Sequence, residues 1–108
     1  MEYIGKNKGI LVAEDEETSR VVGCILWKVI EDYIRPQKTL YLTYLIVTHE
    51  FRRKGIAHEL YAEIEKICRR KGCTNIEFTS ANYRKGAHAL YKSMGYTVKD
   101  TSVFIKEL

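Results

Sequence analysis

Between Leu40 and Val47 the chain is apolar at almost every position, whereas from His58 to Gly72 apolar residues recur only every three or four places. The first pattern predicts a strand, Thr39 to Val47, covered on both faces. The second predicts a helix, Lys54 to Lys71, with its stripe at Ile56, Leu60, Ile64, Ile67 and Cys68 and its end at Gly72. Upstream, Gly9 to Ala13 and Val21 to Ile30 read as strands joined through the acidic turn Glu14-Asp15-Glu16-Glu17, which makes a hairpin. Ile34-Arg35-Pro36-Gln37-Lys38 turns the chain into the next strand. Downstream, Asn75 to Thr79 is a short strand, Lys85 to Met94 a helix capped by Gly95, and Tyr96 to Lys99 with Val103 to Lys106 a closing strand pair. The order β-β-β-α-β-α-β-β predicts one mixed sheet with helices packed on it. The strand-helix-strand unit from Leu40 to Thr79 predicts two neighbouring parallel strands with a right-handed crossover.

At 108 residues this is a single domain with one core. Hydrophobic residues at 45% and charged residues at 30% describe an ordinary globular chain, and no apolar run approaches the ~20 residues of a membrane-spanning helix. Met1-Glu2-Tyr3-Ile4-Gly5-Lys6 has no basic region followed by an apolar stretch, so the expected compartment is the cytoplasm. Cys24, Cys68 and Cys73 are odd in number and lack C-x-x-C spacing, which predicts small buried thiols rather than disulfides or a zinc site, and no metal constellation exists among the histidines and acids. A net charge of +4 and a pI near 9.0 admit nucleic acid or a polyanionic cofactor. The clustering favours the cofactor: Lys66, Arg69, Arg70 and Lys71 close a helix, where its dipole favours cations, while Arg52, Arg53 and Lys54 open one.

That opening is the place for an anion. A helix start presents unpaired backbone N–H groups and the positive end of the dipole. Gly55 permits a tight turn and close approach, and Ala57 keeps the first turn open. Neither G-x-x-x-x-G-K-[ST] nor G-x-G-x-x-G occurs, so the common nucleotide loops find no support. What stands here is R-x-x-G-x-A between strand and helix, Arg52 to Ala57. Further on, Ala87-His88-Ala89-Leu90-Tyr91-Lys92-Ser93-Met94-Gly95-Tyr96 reads A-x-x-x-Y-x-x-x-G-Y. In this order and setting the two motifs resemble those of the GNAT superfamily of acyl-CoA-dependent N-acyltransferases, over most of the chain from Gly9 onward.

The resemblance implies an α/β (α+β) fold: a mixed, mostly antiparallel sheet with a central, splayed parallel strand pair and helices packed on it. It implies acetyl-CoA as co-substrate, a primary amine as acceptor and direct attack within a ternary complex. Leu45, Ile46 and Val47 would offer backbone groups to the pantetheine arm, as to an added strand. The amides of Arg53, Lys54, Gly55, Ile56, Ala57 and His58, with Arg52 beside them, would hold the pyrophosphate. Tyr91 would protonate the leaving thiolate; by its place on the apolar stripe alone it reads as a core aromatic. Arg84 stands where the family often has Asn, and Asn82, two residues earlier, is a candidate contact or helix cap. Thr43 and Tyr44 occupy positions where a carboxylate base is common, which leaves Glu50, Glu77, His49, His88 or a water relay as alternatives. Met1 to Lys8 is too short for the strand and substrate-side helices that usually precede the first hairpin. Two further readings therefore stand beside the enzyme: a non-catalytic acyl-CoA-binding or protein-interaction module on the same scaffold and, from charge alone, a nucleic-acid-binding domain. A homodimer covering an exposed strand edge is a corollary.

Overall fold

The computed structural model of the chain describes residues 2–4, 7–32, 34, 36–52 and 55–108. Five strands form one sheet in chain order: β1 (Glu2–Ile4), β2 (Lys8–Glu14), β3 (Val21–Asp32), β4 (Gln37–Val47) and β5 (Asn75–Glu77). The first four pair antiparallel and β5 lies parallel to β4. Helix α1 (Ile56–Arg70) makes the crossover between β4 and β5, a single 3-10 turn (His49–Phe51) precedes it, and α2 (Lys85–Ser93) follows β5. The sheet is mixed, as expected, and β1 adds a short edge strand where the apolar pattern predicts none.

Two expectations are corrected. The closing strands do not form: residues 96–108 carry no regular secondary structure, and Val98, Val103, Phe104 and Ile105 are 78% to 94% exposed. A strand is stable only against a partner ladder, and this segment leaves the body of the protein, so the parallel pair lies at an edge of the sheet instead of its centre. Nor is β4 covered on both faces. Leu40 is 0% and Leu42 5% exposed, but Ile46 is 57% exposed, because α1 packs against one face of the sheet. The apolar stripe of α1 buries Leu60, Tyr61, Ile64, Ile67 and Cys68 against Ile25, Trp27, Leu40 and Leu42. The period-3.6 spacing of the helix and the period-2 alternation of the strands thus meet on one plane.

Three local features position the far end of β4. The β3–β4 register runs Trp27↔Leu42, Leu26↔Thr43, then Ile25↔Leu45, which leaves Tyr44 as the extra residue of a β-bulge. The bulge flips the parity of the strand: Leu40 and Leu42 face the core before it, and Leu45 packs against the core after it. Next, β5 pairs with β4 only at Thr39↔Asn75, Leu40↔Ile76 and Tyr41↔Glu77, so the two strands part company beyond Tyr41. Finally, Gly23 lets the start of α1 lie close to the sheet. A Cβ there would stand 3.2 Å from Ile56 Cγ2, 3.3 Å from the Ile46 carbonyl oxygen and 3.4 Å from Leu60 Cδ1.

Candidate active site

The turn after β4 is pinned at several points. Thr48 donates its N–H and its hydroxyl to the Val22 carbonyl at 2.9 and 3.2 Å, and Phe51 N–H donates to the Thr48 carbonyl at 2.9 Å. Arg52 is exposed and donates Nε to the Val47 carbonyl at 3.3 Å, so its guanidinium ties the turn to the strand end. Arg53 and Lys54 lie outside the described residues. Helix α1 begins at Ile56, two residues later than its apolar stripe predicts, with Gly55 as N-cap at φ 80°. Only glycine takes that conformation without strain. No side chain caps the helix, and Glu59 N–H donates to the Gly55 carbonyl at 3.0 Å. The amides of Gly55, Ile56, Ala57 and His58 precede that bond and have no intrahelical acceptor of the i−4 type within the helix itself. A Cβ on Gly55 would meet nothing within 4 Å among the described residues, so the space beside Gly55 itself is open.

Leu45, Ile46 and Val47 stand immediately before this turn, on the part of β4 that has no β5 partner. On the other side β3 completes their ladder, pairing Ile25↔Leu45, Cys24↔Ile46 and Gly23↔Val47. Among the described residues, one edge of β4 beyond Tyr41 is therefore without a strand partner, as an extended ligand would need.

Tyr91 enters from α2 and is 8% exposed. Its ring meets Phe78 at 4.8 Å and Tyr61 at 5.4 Å between centroids, both edge-on, and Tyr96 stands 5.2 Å from Phe78. Tyr61 is the neighbour of Tyr91 that the sequence reading missed. It lies at helical spacing with Ala57, Ile64 and Cys68, a signal obscured by reading the stripe from its aliphatic residues. Burial pushes the Tyr61 phenol well above its ordinary value. Tyr61 accordingly stays protonated at neutral pH. Tyr96 is pushed up to about 12 by burial and then by the Glu65 carboxylate and Cys68.

The remaining candidates are dispersed. Asn82 is exposed and does not cap α2; the N-cap is Arg84, without a side-chain hydrogen bond. Glu50 pairs with Arg20 at 3.9 Å and Glu77 with Lys99 at 3.9 Å, both at exposed positions. The side chain of His49 lies outside the described residues. His88 is half-buried with its ring centroid 6.2 Å from that of Tyr91, and its Nε2 is buried without a partner among the described residues. Ser80 Oγ shares that condition. The basic end of α1 is largely occupied: Lys66 pairs with Glu63 at 2.9 Å, Arg69 with Glu65 at 3.9 Å, and Lys71 lies 5.5 Å from the centre of the Trp27 ring. Among the described residues no group of three or more His, Cys, Asp and Glu could hold a metal ion, and no helix is long and apolar enough to cross a membrane.

This combination is an open strand edge ending in a glycine-capped helix start, with a buried tyrosine on the following helix. The profile of the Acetyltransferase (GNAT) family matches residues 2–96. The chain belongs to that family. Human N-acetyltransferase 8 is 34% identical over 93 residues, covering 86% of this chain and 40% of the relative. The thialysine N-epsilon-acetyltransferase of Caenorhabditis elegans is 32% identical over 57 residues, covering 53% of this chain and 36% of the relative. The chain thus spans well under half the length of these curated relatives. Among solved structures, an acetyltransferase of Trypanosoma brucei superposes with a TM-score of 0.81 at 18% identity, covering 94% of this chain and 70% of the other. An aminoglycoside acetyltransferase from an uncultured soil metagenomic sample superposes at 0.82 and 22% identity, covering 96% and 67%. At these identities the likeness establishes the GNAT fold.

Proposed function

We propose that this chain transfers an acetyl group from acetyl-CoA to a primary amine by direct attack in a ternary complex. The observation that carries the reading is the parting of β4 and β5 beyond Tyr41 and Glu77, at the end where Gly55 opens α1. Residues 42–47 present a free backbone edge to the pantetheine arm. The first-turn amides, from Gly55 to His58, present their donors to the pyrophosphate in the open space that a Gly55 Cβ would otherwise enter. The bound coenzyme supplies the thioester carbonyl and, on its departure, a thiolate. A β4 N–H directed into the gap holds the negative charge that grows on the carbonyl oxygen, a role in which losing one donor costs ~10²–10³ in rate. Tyr91 gives its proton to the departing sulfur, with the rings of Tyr61 and Phe78 holding its own edge-on. The acceptor attacks as the neutral amine, the proton its nitrogen sheds once the C–N bond has formed passes to water, and Tyr91 recovers a proton from water in turn.

The test is calorimetric titration with acetyl-CoA and CoA, followed by thiol release with a panel of primary amines. Tyr91→Phe keeps the ring and its edge-on contacts, so coenzyme affinity should hold while kcat falls by ~10²–10⁴. An unchanged kcat removes Tyr91 from the mechanism. Tight coenzyme binding with no turnover of any amine would mark a binding module on the same scaffold.

A further inference from the structure

The end of α1 brings two of the three cysteines together. Its last residue is Arg70, its C-cap is Lys71, and Gly72 follows at φ 71°. Gly72 N–H donates to the Arg69 carbonyl at 3.2 Å, and Cys73 N–H donates to the Cys68 carbonyl at 3.0 Å. These nested bonds are a Schellman motif, in which the side chains of the two outer residues meet across the helix end, often as an apolar contact. Here both outer residues carry thiols, Cys68 and Cys73.

The outer bond also limits how far apart the two residues can stand. At 3.0 Å, and with standard backbone dimensions, it holds their Cα atoms within about 7 Å of each other. A disulfide spans a Cα separation of roughly 4.4–6.8 Å. Cys68 Sγ is already turned toward its neighbour, 3.6 Å from the Cys73 carbonyl oxygen and 3.7 Å from that of Asn75. All three thiols are free, and Cys24 is set apart from the pair: Gly23, Ile25 and Trp27 face α1, so Cys24 between them faces away. The paired thiols differ in access. Cys68 is 7% exposed, whereas Cys73 is half-buried, and the charges of Lys38 and Lys71 act there against the burial that raises its thiol.

We infer that Cys68 and Cys73 form a reversible disulfide by exchange with a small-molecule disulfide, and that this bond locks the end of α1 to the start of β5. Cys73, the more accessible, reacts first: its thiolate attacks one sulfur of the reagent, the S–S bond of the reagent breaks, and one half departs as a thiolate while the other stays on Cys73. Cys68, its proton lost to water, then attacks the Cys73 sulfur and expels the second half. Two protein thiols are thereby oxidised with loss of two protons and two electrons, and one small disulfide is reduced to two thiols. The lock falls where β5 is held most lightly. Thr74 donates its N–H and hydroxyl to the Lys38 carbonyl at 2.9 and 3.2 Å, and Asn75 then opens the three rungs that join β5 to β4. A covalent tie from α1 acts directly on that short ladder. The inference rests on the geometry of the helix end and holds whether or not the chain turns over an amine.

The experiment treats the folded, unmodified chain with glutathione disulfide at pH 8, blocks the remaining thiols with iodoacetamide, and maps tryptic peptides without reduction. Trypsin cuts after Lys66, Arg69, Arg70, Lys71 and Arg84, which puts Cys68 on residues 67–69 and Cys73 on residues 72–84. The expected product is these two peptides joined and lighter by two hydrogens, with Cys24 alkylated and the bond released by dithiothreitol. The oxidised chain should melt about 5–10 °C above the reduced one, because the closed loop restricts the unfolded state. Amide exchange at Asn75 to Glu77 should slow severalfold on oxidation. In Cys68→Ser the reaction should stop with glutathione held on Cys73. Glutathione retained on Cys73 of the unmodified chain, thiols left unreacted, or a bond to Cys24 or between copies overturns the inference. So does an oxidised chain that melts no higher than the reduced one or exchanges as fast at Asn75 to Glu77. The unmodified chain decides the matter even where the variant fails to fold.

Discussion

Replacing Gly55 separates two functions that one residue performs: it takes a left-handed backbone conformation, and it leaves the space beside itself open at the start of α1. At φ 80° a side chain strains the backbone, by ~1–2 kcal/mol for alanine, against which the stiffer unfolded chain returns ~0.4–1 kcal/mol. No steric cost adds to this in the free protein, because a Cβ meets nothing within 4 Å among the described residues. Gly55→Ala should therefore cost about 1 kcal/mol, a fall of ~4 °C in melting temperature for a domain of this length. Gly55→Asn should cost less, since asparagine tolerates the left-handed region, yet it projects a larger side chain into the same space. Saturating acetyl-CoA at a hundredfold excess over its Kd stabilises the unmodified chain by ~2.7 kcal/mol. A tenfold loss of affinity removes ~1.4 kcal/mol of that. Melting each variant with and without coenzyme then gives two independent readings: the unliganded shift ranks Ala below Asn, and the liganded increment falls in both. An increment equal to that of the unmodified chain in both variants would refute the reasoning, because the pyrophosphate would then not need the space that glycine leaves.

Other consequences follow from the packing around this site. Gly23→Ala forces a Cβ to within 3.2 Å of Ile56 Cγ2 and 3.3 Å of the Ile46 carbonyl. Overpacking at ~1–3 kcal/mol, offset by ~0.5–1 kcal/mol for removing glycine from a strand, leaves a net loss of about 1 kcal/mol in urea unfolding. Because it displaces the first turn of α1, the same change should weaken coenzyme binding severalfold from a position outside the site; unaltered affinity would contradict that. Tyr96→Phe should raise stability by about 1 kcal/mol, since the Tyr96 hydroxyl is buried without a partner among the described residues. The unfolded chain releases the Tyr96 proton near 10.0 and the native chain holds it to about 12, so the stability this residue contributes is complete below pH 10 and disappears as pH rises through 12. Alkaline unfolding curves of Tyr96→Phe should lack that component. Burial raises the Cys68 and Cys73 thiols above their ordinary value, so both should be alkylated at pH 8 more slowly than a free cysteine peptide.

The junction between β4 and α1 was legible because the apolar pattern itself changes period there, and because Gly55 can be read for its backbone freedom. The helix stripe from Ile56 to Cys68 was legible for the same reason: a long amphipathic helix repeats its signal several times. Short elements repeat it hardly at all. Glu2–Ile4 is too brief to show an alternation, and Val103 to Ile105 satisfies the chemistry of a strand without naming a partner, so propensity alone placed it in its own sheet. The coverage of β4 was misread because continuous apolarity from Leu40 to Val47 suggests burial on both faces, whereas a bulge had exchanged the two faces midway. No residue type marks that bulge; only the register against β3 reveals it. The burial of Tyr91 was legible in the apolar stripe of its helix, and that of its ring neighbour Tyr61 was hidden by counting aliphatic side chains alone.

That bulge carries a consequence for how the chain tolerates shortening. Loss of one residue from the middle of a strand ordinarily turns its whole remainder inside out. Here the opposite holds: with Tyr44 deleted, Thr43 would be followed directly by Leu45, and inward and outward positions would alternate without interruption from Leu40 to Val47. The deletion would mend the ladder while Leu45, Ile46 and Val47 keep their partners Ile25, Cys24 and Gly23, so the Gly55 turn would stay where it is. Folding has no use for the surplus residue. What it provides is a bend, with one residue left out of the ladder, three positions past the last rung that β4 shares with β5.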